Sequence, residues 1–571
     1  MRNARKLDFG FFGFKGKGLF WTASVVLALV VAVPAGALRA DDSLRKRTPS
    51  GSVSTKTERT SFSVPPNDTY YTNQWYLNHA TRPHINVEGA WTKGYTGAGV
   101  IIGIADDCFE TAHPDLDQNN ISAAEAANGG GTSYDYNFGY YVNQNQSEFD
   151  PNPVYASDRH GISVAGVAAA YGNNSKGVTG VAPRAGLAGL RIDFNYQTNA
   201  MFADATTLHS DKIKVKNHSY GIGASYVSNP TIVTANRASA ANGCVNVRAA
   251  GNDSANANAK SAQADHTAIS VAAIGADGQY AYYSNFGANV FVTAPSSDTD
   301  GATRIYTTDR MGYAYGYNGI VGDEDYTNDF GGTSSASPTV AGVVALILEA
   351  AKTSNNVDLD VRGVKHVLAN TSAIVDSGHS GWHQNGAGHW FNPYYGHGLV
   401  DATAAVTFAE TYAGPAAEVS FGTGQVSVGT ALPDDNTVVS RSFTISESYL
   451  LESVLIDIDL DATGALGLWW DDYNILLTSP DGTTSKLGYM SAAGAGQGDT
   501  DKWQFSSAEF WGEDPNGQWT LSMQDAYGED YEADWNSFAF TAYGEAPEPA
   551  TMSLLAIGGL ALLRRRRRRA A

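Results

Sequence analysis

An α/β domain on a parallel sheet, followed by an all-β antiparallel sandwich, is the architecture this sequence predicts, and two patterns carry it. Between residues 67 and 410, short apolar runs at 100–104, 185–192, 213–216, 244–247, 268–274 and 290–293 alternate with helical stretches at 160–171, 230–242 and after Ser334. Runs without polar alternation fit strands covered on both faces, and such sheets place their sites at the carboxyl ends of the strands. From Gly414-Pro415 onward the period becomes two: 437–445, 450–460, 473–477, 518–523 and 537–543 alternate, punctuated by Pro480-Asp-Gly and Pro515-Asn-Gly. Those tripeptides supply hairpin-turn chemistry, and the pattern is that of a sandwich.

The chain has 571 residues, beyond what one hydrophobic core serves, and its 43% hydrophobic content says that it folds. Residues 1–40 have a secretory layout: a lead with Arg2, Arg5, Lys6, Lys15 and Lys17, an apolar run at 18–33, then Ala35, Ala37 and Ala40 as cleavage context. Residues 41–65, rich in Ser, Thr, Lys and Arg, read as a linker. At the other end Pro547-Glu-Pro549 precedes a mostly apolar run at 551–563 and six arginines, Arg564 to Arg569. That run is short of the ~20 residues a spanning helix needs. Net charge is −21 although both ends are basic, so the body between them is more acidic still. Such a body excludes nucleic acid and anionic membrane as partners and suits a cation. Two cysteines, Cys108 and Cys244, give no disulfide framework, and a bridge between them stays open.

The segment from Gly331-Gly-Thr-Ser-Ser-Ala-Ser-Pro338 runs into Thr339-Val-Ala-Gly-Val-Val-Ala-Leu-Ile-Leu, apolar on every side and so a buried helix. The glycines permit a tight turn, Pro338 suits an early helical position, and unpaired amides at a helix start favour developing negative charge. Ser334 is therefore the candidate nucleophile. His160, opening a small-residue helix, is the candidate base, and Asp106, at the end of a buried run, can hold its imidazole in one tautomer. Asn252, in Ala249-Ala-Gly-Asn, is placed to donate to an oxyanion together with the Ser334 amide.

Gly99-Val-Ile-Ile-Gly-Ile-Ala-Asp-Asp107, Arg159-His-Gly161, Ala250-Gly-Asn252 and Gly332-Thr-Ser-Ser-Ala-Ser-Pro338 resemble the subtilases, in the order Asp, His, Ser. The Asp106-Asp107 pair, Gln74-Trp-Tyr-Leu77 and Trp511-Gly-Glu-Asp-Pro-Asn-Gly-Gln-Trp-Thr520 resemble more narrowly the kexin and furin-like members that carry a P domain. The resemblance implies a subtilisin-like catalytic domain at 66–414 and a jelly-roll P domain at 415–545. It also implies a serine endopeptidase that cuts polypeptide through an acyl-enzyme, with Asp107 and the edge Ser219-Tyr220-Gly221 contacting substrate. Calcium follows from the same resemblance, on side-chain oxygens of Asp68, Asp115 and Asn174 and carbonyls of Lys176 and Val178. Residues 546–571 resemble a PEP-CTERM sorting signal, which implies export by a bacterium, transient membrane association and processing by an exosortase-type enzyme.

Three departures bear on function. Where the family places an acid for basic substrates, the register from 268–271 puts Lys260, which repels Arg and Lys. Cys108 stands where the family has Gly, and residues 41–65 are too few for a folded prodomain. Trp469, Trp470 and Trp503 fit either core filling or a ligand platform. The competing reading is a catalytically idle matrix or adhesion protein that binds through its sandwich; the complete four-part constellation argues against it.

Overall fold

The computed structural model describes residues 62–122, 133–142, 146–298, 303–462, 468–490, 501–527 and 533–546. The expected signal, linker and sorting segments lie almost entirely outside these residues. The first layer is a parallel sheet of β1 (Ile101–Asp106), β2 (Tyr136–Asn137), β3 (Gly186–Arg191), β4 (Val215–His218), β5 (Val245–Ala249), β6 (Ala268–Ile274) and β7 (Val290–Pro295), in the order β2-β3-β1-β4-β5-β6-β7. Apart from the two-residue β2, each strand is nearly or wholly buried, as apolar runs without alternation require. The order reverses at β1, whose neighbours are β3 and β4, and Asp106 ends this strand. A switch point of this kind opens a crevice at the carboxyl ends.

Helix α1 (His160–Ala169) and helix α3 (Thr333–Asn355) pack on one face of the sheet, and α2 (Pro230–Ala241) follows β4 in sequence. α3 is buried from Thr333 to Ala351, so its length and apolarity mark a core helix rather than a membrane span. Gly342 packs against Val181 so tightly that an added methyl would clash. A hairpin of β8 (Ile305–Thr308) and β9 (Tyr326–Phe330) lies along α1, where Ser163 Oγ donates to the Thr308 carbonyl at 2.9 Å and Thr307 Oγ1 to the Ser163 carbonyl at 2.7 Å. It is followed in the chain by α4 (Val361–Thr371) and a short ribbon, β10 (His383–Gln384) with β11 (Trp390–Phe391).

The second part is a sandwich of two four-stranded antiparallel sheets. One holds β12 (Glu418–Leu432), β19 (Ala533–Glu545), β14 (Leu450–Ala462) and β17 (Lys502–Ser507); the other holds β13 (Val438–Ile445), β18 (Gly517–Asp525), β15 (Tyr473–Thr478) and β16 (Thr484–Gly488). Trp519, Trp535, Phe538 and Phe540 fill the space between them. Trp470 and Trp503 are buried against Tyr226 of the first part, at ring distances of 6.0 and 5.3 Å, so these tryptophans act as core filler and not as a surface platform. The edge of β17 is covered by segment 256–259: Asn258 Nδ2 donates to the Ser506 carbonyl at 3.0 Å while its Oδ1 accepts the Ser506 amide at 2.9 Å. An amide side chain thus does the work of a neighbouring strand and blunts the edge. The described residues all belong to one compact unit.

Candidate active site

Asp106 projects from the end of β1 with a fully buried side chain. Its Oδ1 lies 2.8 Å from His160 Nδ1 and accepts the Asp107 amide at 2.8 Å. Burial alone would lower the His160 pKa, but the Asp106 carboxylate outweighs it and holds the imidazole above its usual 6.5. His160 is the first residue of α1, and α1 has no cap from its own N-cap residue, Arg159. The cap comes from Asp107: one oxygen accepts the amides of Arg159 and His160 at 3.0 and 3.1 Å, the other the Gly161 amide at 2.8 Å and the Cys108 thiol at 3.1 Å. Asp107 was expected at the substrate; its oxygens accept the three amides that open α1 and the Cys108 thiol. Gly161 is required because the Cys108 carbonyl would lie 2.0 Å from any Cβ there. Cys108 and Cys244 are separate buried thiols, which closes the question of a bridge.

Ser334 is the second residue of α3, behind Gly332 at φ +74°, a conformation that favours glycine. Pro338, expected at an early helical position, lies inside the helix, five residues after its first residue Thr333. Its missing N–H frees the carbonyl four residues earlier, which is that of Ser334. Ser219 Oγ takes this acceptor at 3.0 Å, and Ser334 Oγ in turn donates to the Ser219 carbonyl at 3.1 Å. A reciprocal pair therefore fastens the segment after β4 to the start of α3. The spacing of Ser334 and Pro338 hinted at it; the partner was not visible in sequence.

Asn252 is exposed, and its Oδ1 accepts both the amide and the hydroxyl of Thr333 at 2.9 Å. A main-chain amide can only donate, so the Asn252 oxygen must face Thr333 and its NH2 is left as donor. Asn285, which sequence reasoning missed, braces this loop: its Oδ1 accepts the amides of Asp253 and Ala255 at 2.9 and 3.1 Å, and its Nδ2 donates to the Ala250 carbonyl at 3.0 Å. Of the expected substrate edge, Tyr220 turns its ring into Phe194 and Phe202, at 5.5 and 5.1 Å, and so offers its main chain alone. Gly221 is open where a Cβ would stand. Lys260 Nζ donates to the Gly223 carbonyl at 3.0 Å, just beyond that edge.

The five residues expected to bind calcium come together, but not all by the predicted atoms. Asp68 accepts the amides of Asn173 and Asn174 at 2.8 and 3.0 Å and the Thr179 hydroxyl. Asp115, fully buried, accepts Asn174 Nδ2 at 2.7 Å and the Val178 amide at 2.9 Å. The Asn174 oxygen accepts the Lys176 amide at 2.9 Å, and the Lys176 carbonyl accepts the Thr69 amide at 3.2 Å. Asn174 thus turns its nitrogen to Asp115 and its oxygen to the Lys176 amide, whereas the Val178 bond uses its amide and not the carbonyl expected to bind the ion. Burial, with the nearby charge of Asp68 adding, pushes Asp115 up to about 6. Two buried carboxylates beside a polar loop fit a hard cation.

A model of the subtilase family matches residues 97–398, more than half of the chain. The chain belongs to the subtilase family. The proprotein convertase P-domain matches 455–542, and the PEP-CTERM protein-sorting motif matches 545–568, which indicates bacterial export and a membrane-associated C-terminus. Human proprotein convertase subtilisin/kexin type 6 is 31% identical over 366 residues, covering 61% of this chain and 34% of the relative. Human furin is 29% identical over 364 residues, with 61% and 41% covered, and Furin-1 of Xenopus laevis 30% over 379, with 63% and 44%. This subtilase therefore spans less than half the length of those relatives. The crystal structure of the Aeromonas sobria serine protease with its chaperone superposes with a TM-score of 0.74 at 24% identity, over 85% of this chain and 96% of that one, which shows the shared fold.

Proposed function

We propose that this subtilase is an exported, calcium-dependent serine endopeptidase in which Asp106, His160 and Ser334 form the triad and Asn252 the oxyanion donor. One observation carries the reading: a fully buried carboxylate fixes the imidazole at 2.8 Å, and the helix that His160 opens packs against the helix that bears Ser334 at its mouth. To attack, the Ser334 hydroxyl turns from the Ser219 carbonyl to His160 Nε2, which takes its proton as Oγ bonds to the substrate carbonyl carbon. The oxyanion is met by Asn252 Nδ2 and the Ser334 amide, with the positive end of α3 behind it. His160 then passes the proton to the departing amine, and water releases the acyl half by the same route in reverse. The main chain at Ser219–Gly221 pairs with the extended acyl half. Lys260 disfavours cleavage after Arg or Lys.

Calcium, held through the carboxylates of Asp68 and Asp115, supplies positive charge that offsets their mutual repulsion and pins the loop around Asn174, Lys176 and Val178. Processing of the carboxyl end by an exosortase-type enzyme follows from the sorting motif. The idle-scaffold reading loses support, since two of the three sandwich tryptophans that would serve as a binding platform, Trp470 and Trp503, are core residues. Fluorophosphonate labelling of calcium-loaded protein tests the chemistry: Ser334 labels and Ser334→Ala does not, whereas an unlabelled folded protein refutes the proposal. Peptide-library profiling tests selectivity, and a strong preference for Arg before the scissile bond overturns the role of Lys260.

A further inference from the structure

We infer that the loop 309–325 is a substrate-binding element for the leaving half of the polypeptide, with Tyr313 and Tyr315 as an apolar platform for residues after the scissile bond. The inference rests on the proteolytic reading above and adds a specificity site to it. The loop is closed at its base by pairing of Thr308 with Tyr326, and its first strand is bonded to α1, the helix that begins at His160. It is therefore carried by the same element as the base.

Its anchors run to the segment that leads into α1 and to Glu110, His113 and Tyr70. Arg310 Nη1 donates to the carbonyls of Tyr155 and Asp158 at 2.7 and 3.2 Å, and Arg159 Nη1 donates to the Gly316 carbonyl at 3.2 Å. The Arg159 guanidinium also lies 4.5 Å over the Tyr317 ring, Tyr317 packs on Phe330 at 6.1 Å, and Phe330 meets the His160 ring edge-on at 5.4 Å. Glu110 accepts the Met311 amide, His113 bonds the Asp325 carbonyl and the Tyr70 hydroxyl donates to Asp323, which completes the anchorage. Its described hydrogen bonds reach neither 219–223 nor 252–253, the segments that serve the acyl half. The loop thus borders the site through His160, and the group His160 protonates is the departing amine.

The large side chains that the loop exposes are aromatic or aliphatic, with the Arg310 guanidinium 4.8 Å over the Tyr315 ring. Tyr313 is 76% exposed, Tyr315 49% and Val321 fully so, on a chain whose body is strongly acidic. Tyrosine gives large contact area at low entropy cost, which suits transient capture of extended peptide. The occupant is therefore the peptide leaving half, with aliphatic or aromatic side chains.

The test uses the mature protein with calcium and two kinds of substrate sharing one acyl half: a peptidyl nitroanilide, and internally quenched peptides whose leaving halves are Leu-Phe-Leu or Gly-Gly-Gly. The wild type favours Leu-Phe-Leu. Tyr313→Ser with Tyr315→Ser lowers kcat/KM for Leu-Phe-Leu roughly tenfold or more. The same variant leaves the nitroanilide, which has no leaving peptide, unchanged, and Tyr313→Phe with Tyr315→Phe retains the preference. An unchanged preference in the Ser variant overturns the inference. So does an equal fall on both substrates, which marks a structural role, or a change in sedimentation with preference intact, which marks a contact between copies. Failure of the wild type to cut even the nitroanilide refutes the proteolytic reading itself.

Discussion

Asp106 acts on His160 in two opposite ways that pH separates. The carboxylate keeps the imidazole pKa above 6.5, and only the neutral ring can accept the Ser334 proton. The kcat/KM profile is therefore expected to fall on acidification with its midpoint above the unperturbed 6.5, and Asp106→Asn lowers both the midpoint and the rate. Stability runs the other way. A histidine raised on folding contributes fully below its unfolded value and loses the contribution as pH rises through the folded one. Urea unfolding should thus show this pair stabilising at pH 6 and contributing little in alkali, an order that Asp106→Asn abolishes. Asn252 gives an independent check: Asn252→Ala should cut kcat by about 10² to 10³ with KM little changed, read with a nitroanilide substrate. The sequence singles out these four residues because Asp106 ends β1, His160 and Ser334 lie at the starts of α1 and α3, and Asn252 lies in the loop after β5. Ser219 Oγ and Asn285 were not legible, since their partners lie 115 and up to 35 residues away in sequence.

At the scale of elements, α1 is a helix without a local cap. Asp107 satisfies three amides from another strand's end, and Asp107→Ala strands them, at a cost of ~1–3 kcal/mol for each buried group left unpaired. Chemical denaturation should show a loss in that range or above, and kcat should fall more than KM because His160 is itself one of the capped residues. Were Asp107 a substrate ligand instead, KM for peptides with basic residues would carry the change. Six of the seven strands of the parallel sheet were legible to within a residue or two, because burial on both faces leaves unbroken apolar runs; the two-residue β2 was too short to leave one. β12 was not. Its residues Gly422, Gly424 and Gly429 interrupt the alternation, two register shifts break its pairing with β19, and Gly424 and Gly429 adopt positive φ. β17 was missed too: its Ser506 main chain is satisfied by the Asn258 side chain, and no local pattern announces a partner 248 residues away.

For the whole molecule, the two parts behave as one because they exchange core residues. Chelation should expose the first support: removing calcium held at a hundredfold excess over its dissociation constant forfeits about 2.7 kcal/mol, seen as a fall in Tm that added calcium restores. The second support is the interface. Glu452 of β14 accepts Arg362 Nε and Nη2 of α4 at 2.7 Å each, and His366 Nε2 lies 2.7 Å from it. Burial would raise the Glu452 pKa, but His366 and Arg362 outweigh it and hold the carboxyl below its usual range. A depressed carboxylate contributes above its unfolded value and loses the contribution as pH falls through the folded one, so acid should loosen this latch. Trp511, on the turn after β17, goes further and enters the core of the parallel-sheet part, 5.4 Å from Phe291 and 4.9 Å from His366. Trp511→Ala should cost ~3–5 kcal/mol through the cavity left behind. If the sandwich is a structural support, urea unfolding of Trp511→Ala shows activity, tryptophan fluorescence and circular dichroism moving together to lower denaturant. A sandwich that merely rode on the catalytic part would unfold separately and leave hydrolysis of the nitroanilide at its original midpoint.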